Sequence, residues 1–332
     1  MVAALQDAWL RRGPVAWLLL PLTGLYALLS AGHRALYRTG LLRAERLPVP
    51  VVVVGNVVAG GAGKTPVVMA IAQHLLGRGI SCGVVSRGHG RQGKSSLEVT
   101  ATSDAADVGD EPLLIASRCG VPVVVGQRRA DAVRLLMAAH PQTRVVLSDD
   151  GLQHHAMARD LEIVVFDERG IGNGWMLPSG PLRESWPRRA DLVVRNENAT
   201  GVPGFVTRRR LAMEAVRVDG SRVALAELAR TPCAALAGIA RPEAFFAMLR
   251  AAGMQLASTF ALPDHHDFAV PIAGLPAQSP LVCTEKDAVK LWKHRPDAWA
   301  VPLVLEIDPA FFGQLDALLG PKLSSPDGSQ AA

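Results

Sequence analysis

One short passage constrains this chain more than any other. The apolar run Val51–Val54 opens onto Gly55-Asn56-Val57-Val58-Ala59-Gly60-Gly61-Ala62-Gly63-Lys64-Thr65-Pro66, and a helical pattern follows over 65–77. A strand that feeds a glycine-rich loop and then Lys-Thr at a helix start presents backbone N–H groups and a helix N-terminus to phosphate. Val58, Ala59, Gly60, Gly61, Ala62, Gly63, Lys64 and Thr65 are therefore the candidate nucleotide-binding residues. In such a loop the lysine reaches the β- and γ-phosphates and the hydroxyl ligates Mg2+, so Lys64 and Thr65 take those places. The strict pattern wants glycine five residues before Gly63, where Val58 stands. The loop is thus a variant in which Gly60 and Gly61 supply backbone freedom. Pro66 is tolerated because it falls in the first helical turn, where a missing N–H matters little.

The surrounding pattern fits such a loop. Short β-branched runs at Val51–Val54, Cys82–Val85, Val121–Val125, Val145–Leu147, Ile163–Phe166 and Leu192–Val194 read as buried strands, with helices over 65–77, 111–119 and 128–139 between them. Alternation of this kind predicts a doubly wound α/β fold, P-loop NTPase-like, with a mainly parallel sheet. Over 196–230 the pattern weakens into hairpin-like segments around Arg208–Arg210. Strands Ala234–Leu236, Leu281–Cys283 and Leu303–Ile307 with a helix over Pro242–Ala251 then suggest a smaller second α/β lobe. The expected division is 1–48 as an N-terminal helical segment, 49–200 as the kinase-like core, 201–322 as the second lobe and 323–332 as a disordered tail.

Carboxylates gather where such a fold can use them. Val145-Val146-Leu147-Ser148 ends in Asp149-Asp150, a Walker B arrangement that holds Mg2+ directly or through water. Either aspartate could be the one in contact. Asp110-Glu111 opens a helix after a polar loop, which by itself suits a helix cap. Asp264-His265-His266-Asp267 could ligate metal or form an acid/base pair.

The charge distribution separates one end from the body. The first fifty residues hold six Arg against Asp7 and Glu45, whereas the other 282 carry 29 basic and 28 acidic groups. A nearly neutral body argues against a nucleic-acid partner. Gly13 to Gly32 contains no Asp, Glu, Lys, Arg or His, and both tyrosines and two of the tryptophans lie in the first fifty residues. Pro14, Pro21 and Gly24 and the arginines on both flanks favour a kinked membrane-associated helix on or partly in one leaflet over a straight span. Four scattered cysteines with no CxxC pair fit a reducing compartment.

Together these segments resemble the tetraacyldisaccharide 4′-kinase (lipid A 4′-kinase) family. The resemblance also rests on Ser86-Arg87-Gly88-His89-Gly90, Val108-Gly109-Asp110-Glu111-Pro112, Asp149-Asp150-Gly151-Leu152-Gln153-His154, Gly172-Asn173-Gly174-Trp175-Met176-Leu177-Pro178, Gly180-Pro181-Leu182-Arg183-Glu184, Asp264-His265 and Thr284-Glu285-Lys286-Asp287-Ala288-Val289-Lys290, in the family's order. It implies transfer of the ATP γ-phosphate to the 4′-hydroxyl of a tetraacyldisaccharide 1-phosphate lipid, on the cytoplasmic face of the bacterial inner membrane, with Mg2+. It further implies that Asp110 is the catalytic carboxylate, His265 its dyad partner and Lys64 a catalytic phosphate contact. Thr65, Asp149, Asp150 and Glu184 would serve the metal, and Glu111 and Arg129 the substrate. His89 stands where the family more often has Tyr, and neither it nor His155 receives a role. The contrasting reading is a membrane-associated P-loop ATPase switch that phosphorylates no lipid. Thr284-Glu285-Lys286-Asp287 does not support a GTP-reading version, because its lysine falls one place late.

Overall fold

The computed structural model describes residues 9–61, 63–91, 93–100, 102–268, 270, 272–276 and 279–324. Ala62 and the tail from 325 onward lie outside the described residues. Fifteen strands are described: β1 (Val51–Gly55), β2 (Cys82–Ser86), β3 (Leu97–Glu98), β4 (Val123–Val125), β5 (Val145–Asp149), β6 (Leu161–Phe166), β7 (Leu192–Asn196), β8 (Phe205–Leu211), β9 (Glu214–Val216), β10 (Arg222–Ala224), β11 (Cys233–Ala237), β12 (Leu256–Ala261), β13 (Leu281–Thr284), β14 (Trp299–Val301) and β15 (Leu303–Ile307). They form a nine-stranded sheet ordered β15-β8-β7-β6-β1-β5-β2-β4-β3 and a six-stranded sheet ordered β10-β9-β14-β13-β11-β12.

In the large sheet the run from β8 to β4 is parallel, and only the edge strands β15 and β3 run antiparallel. Its central strands are buried on both faces, which is why they read as unbroken valine runs rather than alternating ones. Successive side chains of β1 serve opposite layers. Val52 and Val54 pack with Ile71, Leu75 and Ile115, while Val51 and Val53 pack with Leu136, Leu152 and Phe166. Because β1 sits between β6 and β5, the phosphate loop leaves the carboxyl end of a central strand, and the β5 carboxylates end beside it. Ligands of open α/β sheets bind at this edge.

Two expectations for the later part of the chain are corrected. Phe205–Leu211 forms no local hairpin; it lies parallel to β7, and the hairpin is β9 with β10. Leu303–Ile307 does not join the second set but pairs antiparallel with β8 as an edge of the large sheet. Its alternating half-exposed residues suit an edge strand, whereas the wholly buried Cys233–Ala237 suits a central one. The helix Pro309–Ser324 follows it back and inserts Phe311, Leu315 and Leu319 into the first core. The second sheet thus occupies 214–301 and the chain returns to the first sheet after it, unlike the single division near 200 that the sequence pattern suggests.

The N-terminal segment forms helices Pro14–Leu18 and Leu20–Arg38, with Pro21 in the first turn of the second. Among the described residues no helix is long and apolar enough to cross a membrane. One side docks on the 173–183 segment: Trp9 Nε1 donates to the Pro178 carbonyl at 2.9 Å, Thr23 Oγ1 to Ser179 Oγ at 2.7 Å and the Tyr26 hydroxyl to the Arg183 carbonyl at 3.0 Å. Trp17 meets Trp175 edge-on at 4.9 Å between ring centroids. Leu18, Leu22, Leu25, Leu28 and Leu29 remain exposed.

Candidate active site

The loop after β1 is braced from within. Asn56 Nδ2 donates to the carbonyls of Val58 at 2.5 Å and Gly60 at 3.2 Å, and Asn56 Oδ1 lies 3.4 Å from Lys64 Nζ. Gly63 has φ +73°, in the left-handed region that favours glycine, and Lys64 opens the helix Lys64–Gly77 directly after it. Lys64 Nζ also lies 3.5 Å from Asp150 Oδ1, and Thr65 Oγ1 donates to Asp149 Oδ2 at 3.3 Å. The lysine, the hydroxyl and both Walker B carboxylates therefore converge at one sheet edge.

Asp149 is 1% exposed, and its Oδ1 has no hydrogen-bond partner among the described residues. Burial, then the Glu111 charge, push its carboxyl up to about 7; Asp150 adds to this, while Lys64 and Arg129 oppose it. A buried, crowded oxygen beside a hydroxyl is the donor chemistry that suits a hard divalent cation. Among the described residues no group of three or more His, Cys, Asp or Glu could hold a metal ion.

The second half of the site joins the two sheets. Asp110 is 6% exposed at the start of the helix Asp110–Cys119, one residue inside the N-cap Gly109. Its Oδ2 lies 3.0 Å from His265 Nδ1 and accepts from Lys290 Nζ at 2.9 Å, both partners coming from the second lobe. Burial works to raise this carboxyl, but the hydrogen bonds from His265 and Lys290 and their charges hold it below the ordinary value. Oδ1 carries no hydrogen bond among the described residues. His265 has φ +62° and Asp150 φ +51°, two of the three non-glycine residues described with positive φ. Strain of that kind clusters where side chains are held for a task.

A cleft of about 270 Å³ runs between the halves, lined by Gly61, Gly63, Lys64 and Thr65 from the loop, by Glu111, and by Arg241, Asp264 and Lys286 from the second lobe. Asp110 and His265 do not line the cleft themselves, but Lys286, which does, lies 3.3 Å from His265 Nε2, so the dyad stands one side chain behind that wall. Comparison with known proteins identifies the family. The family model for tetraacyldisaccharide-1-P 4′-kinase matches residues 15–320. The chain belongs to that family. A tetraacyldisaccharide 4′-kinase of Acidovorax ebreus is 57% identical over 97% of this chain and 96% of its own length, and one of Polaromonas naphthalenivorans is 54% identical over 98% and 97%. A crystal structure of LpxK from Aquifex aeolicus in complex with ATP superposes with a TM-score of 0.79 at 29% identity, covering 93% of this chain and 99% of that one.

The family's motifs do not all converge. Glu184 was expected at the metal, but its oxygens face Gln153 Nε2 at 2.9 Å, Arg188 at 3.1 Å and Arg34 at 3.8 Å, not Thr65 or Asp149. Among the acidic residues outside Walker B, Glu111 rather than Glu184 is the one that bears on Asp149. Arg129, expected on the substrate, is 2% exposed and donates to the carbonyls of Gly126 at 2.9 Å and Asp149 at 3.2 Å, so it braces the end of β5. His266 accepts from the Phe268 N–H at 3.0 Å and only shapes its own loop.

Sequence reasoning left several neighbours without a role. Lys290 on Asp110 is the chief of these, followed by Lys286, whose Nζ lies 2.9 Å from Asp264 Oδ1 and 3.3 Å from His265 Nε2. Asp287 accepts from the Gly238 N–H at 3.0 Å and the Thr284 hydroxyl at 2.6 Å, fastening that helix start to β11. The signal was present in Lys286-Asp287-Ala288-Val289-Lys290, where two lysines four apart share a helix face.

Proposed function

We propose that this chain transfers the γ-phosphate of ATP to the 4′-hydroxyl of a tetraacyldisaccharide 1-phosphate. The observation that carries the reading is Asp110: one oxygen is gripped by His265 and Lys290 while the other carries no hydrogen bond among the described residues, and Lys286 beside His265 lines a cleft that begins at the phosphate loop. Asp110 Oδ1 accepts the proton of the attacking hydroxyl, and Lys290 and His265 keep the carboxylate ionised and oriented. Such a base contributes about 10²–10⁴-fold. Lys64 and the loop N–H groups hold the polyphosphate, since phosphoryl transfer depends chiefly on positioning and charge neutralisation. Thr65 and Asp149 would hold Mg2+, which supplies charge neutralisation on the phosphate oxygens when bound.

The N-terminal helices extend the same reading to an anionic bilayer surface on the cytoplasmic side. Leucines on one side of Leu20–Arg38 and Arg38 in its last turn suit an interfacial helix, with the docked side tied to the 173–183 segment. That arrangement presents the headgroup of an acylated substrate to the cleft while its chains stay in lipid. Purified chain with Mg-ATP and the tetraacyldisaccharide 1-phosphate in detergent should yield the 1,4′-bisphosphate. ATP hydrolysis without lipid product would overturn the assignment. Sedimentation with anionic vesicles should fall on deletion of residues 1–32, and unchanged sedimentation would remove the membrane role of that segment.

A further inference from the structure

The mechanism above leaves Arg209 without a task. It stands in the run Arg208-Arg209-Arg210 on β8, and side chains alternate along a strand, so the middle arginine faces the opposite way from its neighbours. Arg208 pairs with Glu197 at 2.7 Å and Arg210 with Glu306 at 3.0 Å, both on the exposed side. Arg209 turns inward to the phosphate loop and lines the cleft with Gly63, Lys64 and Thr65. It approaches Gly63 so closely that a Cβ on that residue would overlap Nη2 of the guanidinium.

The Arg209 head group lacks a dedicated anion. Asp167 is the carboxylate that acts on it, but Asp167 is already held by Arg169 through Nε at 2.9 Å and Nη2 at 2.8 Å. No salt bridge or side-chain hydrogen bond engages Arg209 among the described residues. A half-buried arginine without its own counter-ion is unfavourable unless an anion arrives to meet it. A planar five-donor fork is also better matched to phosphate oxygens than a point charge is.

We infer that Arg209 is a phosphate-binding residue of the nucleotide site, gripping the terminal phosphates of a nucleoside triphosphate together with Lys64. The inference rests on reading the cleft as a nucleotide site. It also gives Gly63 a second reason to be glycine, since any side chain there would displace the guanidinium from the loop. Arg209 reaches the site from the strand that leads out of the large sheet into the second lobe, so it couples the bound phosphates to the lobe connection.

The test compares ATP, ADP and AMP binding by calorimetry in wild type, Arg209→Ala, Arg209→Lys and the surface control Arg210→Ala. Loss of a charge-assisted contact predicts roughly ten- to hundredfold weaker ATP binding in Arg209→Ala. ADP should weaken less, AMP should be unchanged, Arg209→Lys should fall between, and Arg210→Ala should match wild type. ATP binding within about twofold of wild type, or equal loss for all three nucleotides, would overturn the proposal. If Arg209→Ala fails to fold, the ATP-to-AMP discrimination of Arg209→Lys decides alone: unchanged discrimination overturns the proposal, and reduced discrimination supports it. Failure of the kinase reading looks different, because wild type would then bind ATP with intact discrimination yet form no lipid product.

Discussion

Two carboxylates at the two ends of the site are both buried and behave oppositely. Asp149, at 1% exposure, is pushed up to about 7 by burial and the neighbouring Glu111 and Asp150 charges. Asp110, at 6%, is held below its ordinary value against its burial because His265 and Lys290 donate to it. Burial alone therefore does not decide the charge state; the company does. On the phosphate side the chain supplies an excess of negative charge that a cation must complete. On the base side it supplies its own cations, brought from a different lobe.

The largest expected effect removes the self-sufficient carboxylate. Asp110→Ala should lower kcat by about 10²–10⁴-fold with ATP affinity almost unchanged, measured by single-turnover kinetics and nucleotide titration. It also leaves the buried Lys290 ammonium without its carboxylate, so thermal melting should register a loss of roughly 3–5 kcal/mol. A normal kcat would return Asp110 to a helix-start residue. Lys64→Ala comes next: losing a pre-placed phosphate contact costs about 10²–10³-fold in turnover and, unlike Asp110→Ala, weakens ATP binding as well. Asp149→Asn should cost a comparable factor in turnover but move stability the other way. In EDTA its melting temperature should rise, since the amide relieves the crowding with Glu111 and Asp150. A fall would mean the two carboxylates are not the opposites they are drawn as here.

How much of this contrast the sequence carries differs between the two sides, for a physical reason. The phosphate side is local: β1, its loop and the following helix are consecutive, and β5 is an adjacent strand with the same apolar pattern. Strand runs and the Lys64-Thr65 and Asp149-Asp150 pairs were therefore readable directly. The base side joins residues 155 and 180 positions apart, and neither Asp110 nor His265 carries a periodic signature. Family resemblance supplied that pair, but Lys290 had no motif role to inherit. Glu184 shows the reverse case. Its motif suggests metal, whereas Arg34 and the nearby Arg188 face one of its oxygens and Gln153 the other. The return of β15 to the large sheet was missed because a half-exposed edge strand has the same alternation in either sheet.

Lys290 offers a sharper test of the base side, with a smaller effect. Lys290→Gln keeps a donor but removes a charge, so kcat should fall by roughly tenfold through misplacement of Asp110 rather than loss of it. The pH profile carries the decisive sign. Asp110 must be ionised to act, and its folded carboxyl is depressed, so wild-type activity on the acid side persists below the ordinary carboxylate range. Removing the Lys290 charge raises that carboxyl, and the acid limb of kcat should move to higher pH. Stability follows the same sign: the contribution is present above the unfolded value and is lost as pH falls through the folded one. An acid limb that stays in place while kcat drops would make Lys290 a packing residue.

The smallest effect belongs to Lys293, three residues further along the same segment. It too crosses between the lobes, donating to Asp104. The two pairs look alike on a diagram of charges: both are lysine to aspartate, and both join the 285–294 segment to residues around 104–110. Their surroundings differ, since the side chains of Lys290 and Asp110 are 11% and 7% exposed while those of Lys293 and Asp104 are 52% and 50% exposed. Water screens the outer pair, and holding two long side chains together offsets most of the remaining attraction. Lys293→Ala should therefore change stability by under about 1 kcal/mol and turnover by less than about twofold. If it instead moved the acid limb as Lys290→Gln does, net charge on that segment rather than direct contact would be holding Asp110 ionised. The contrast between the two ends of the site would then rest on long-range field and not on two hydrogen bonds.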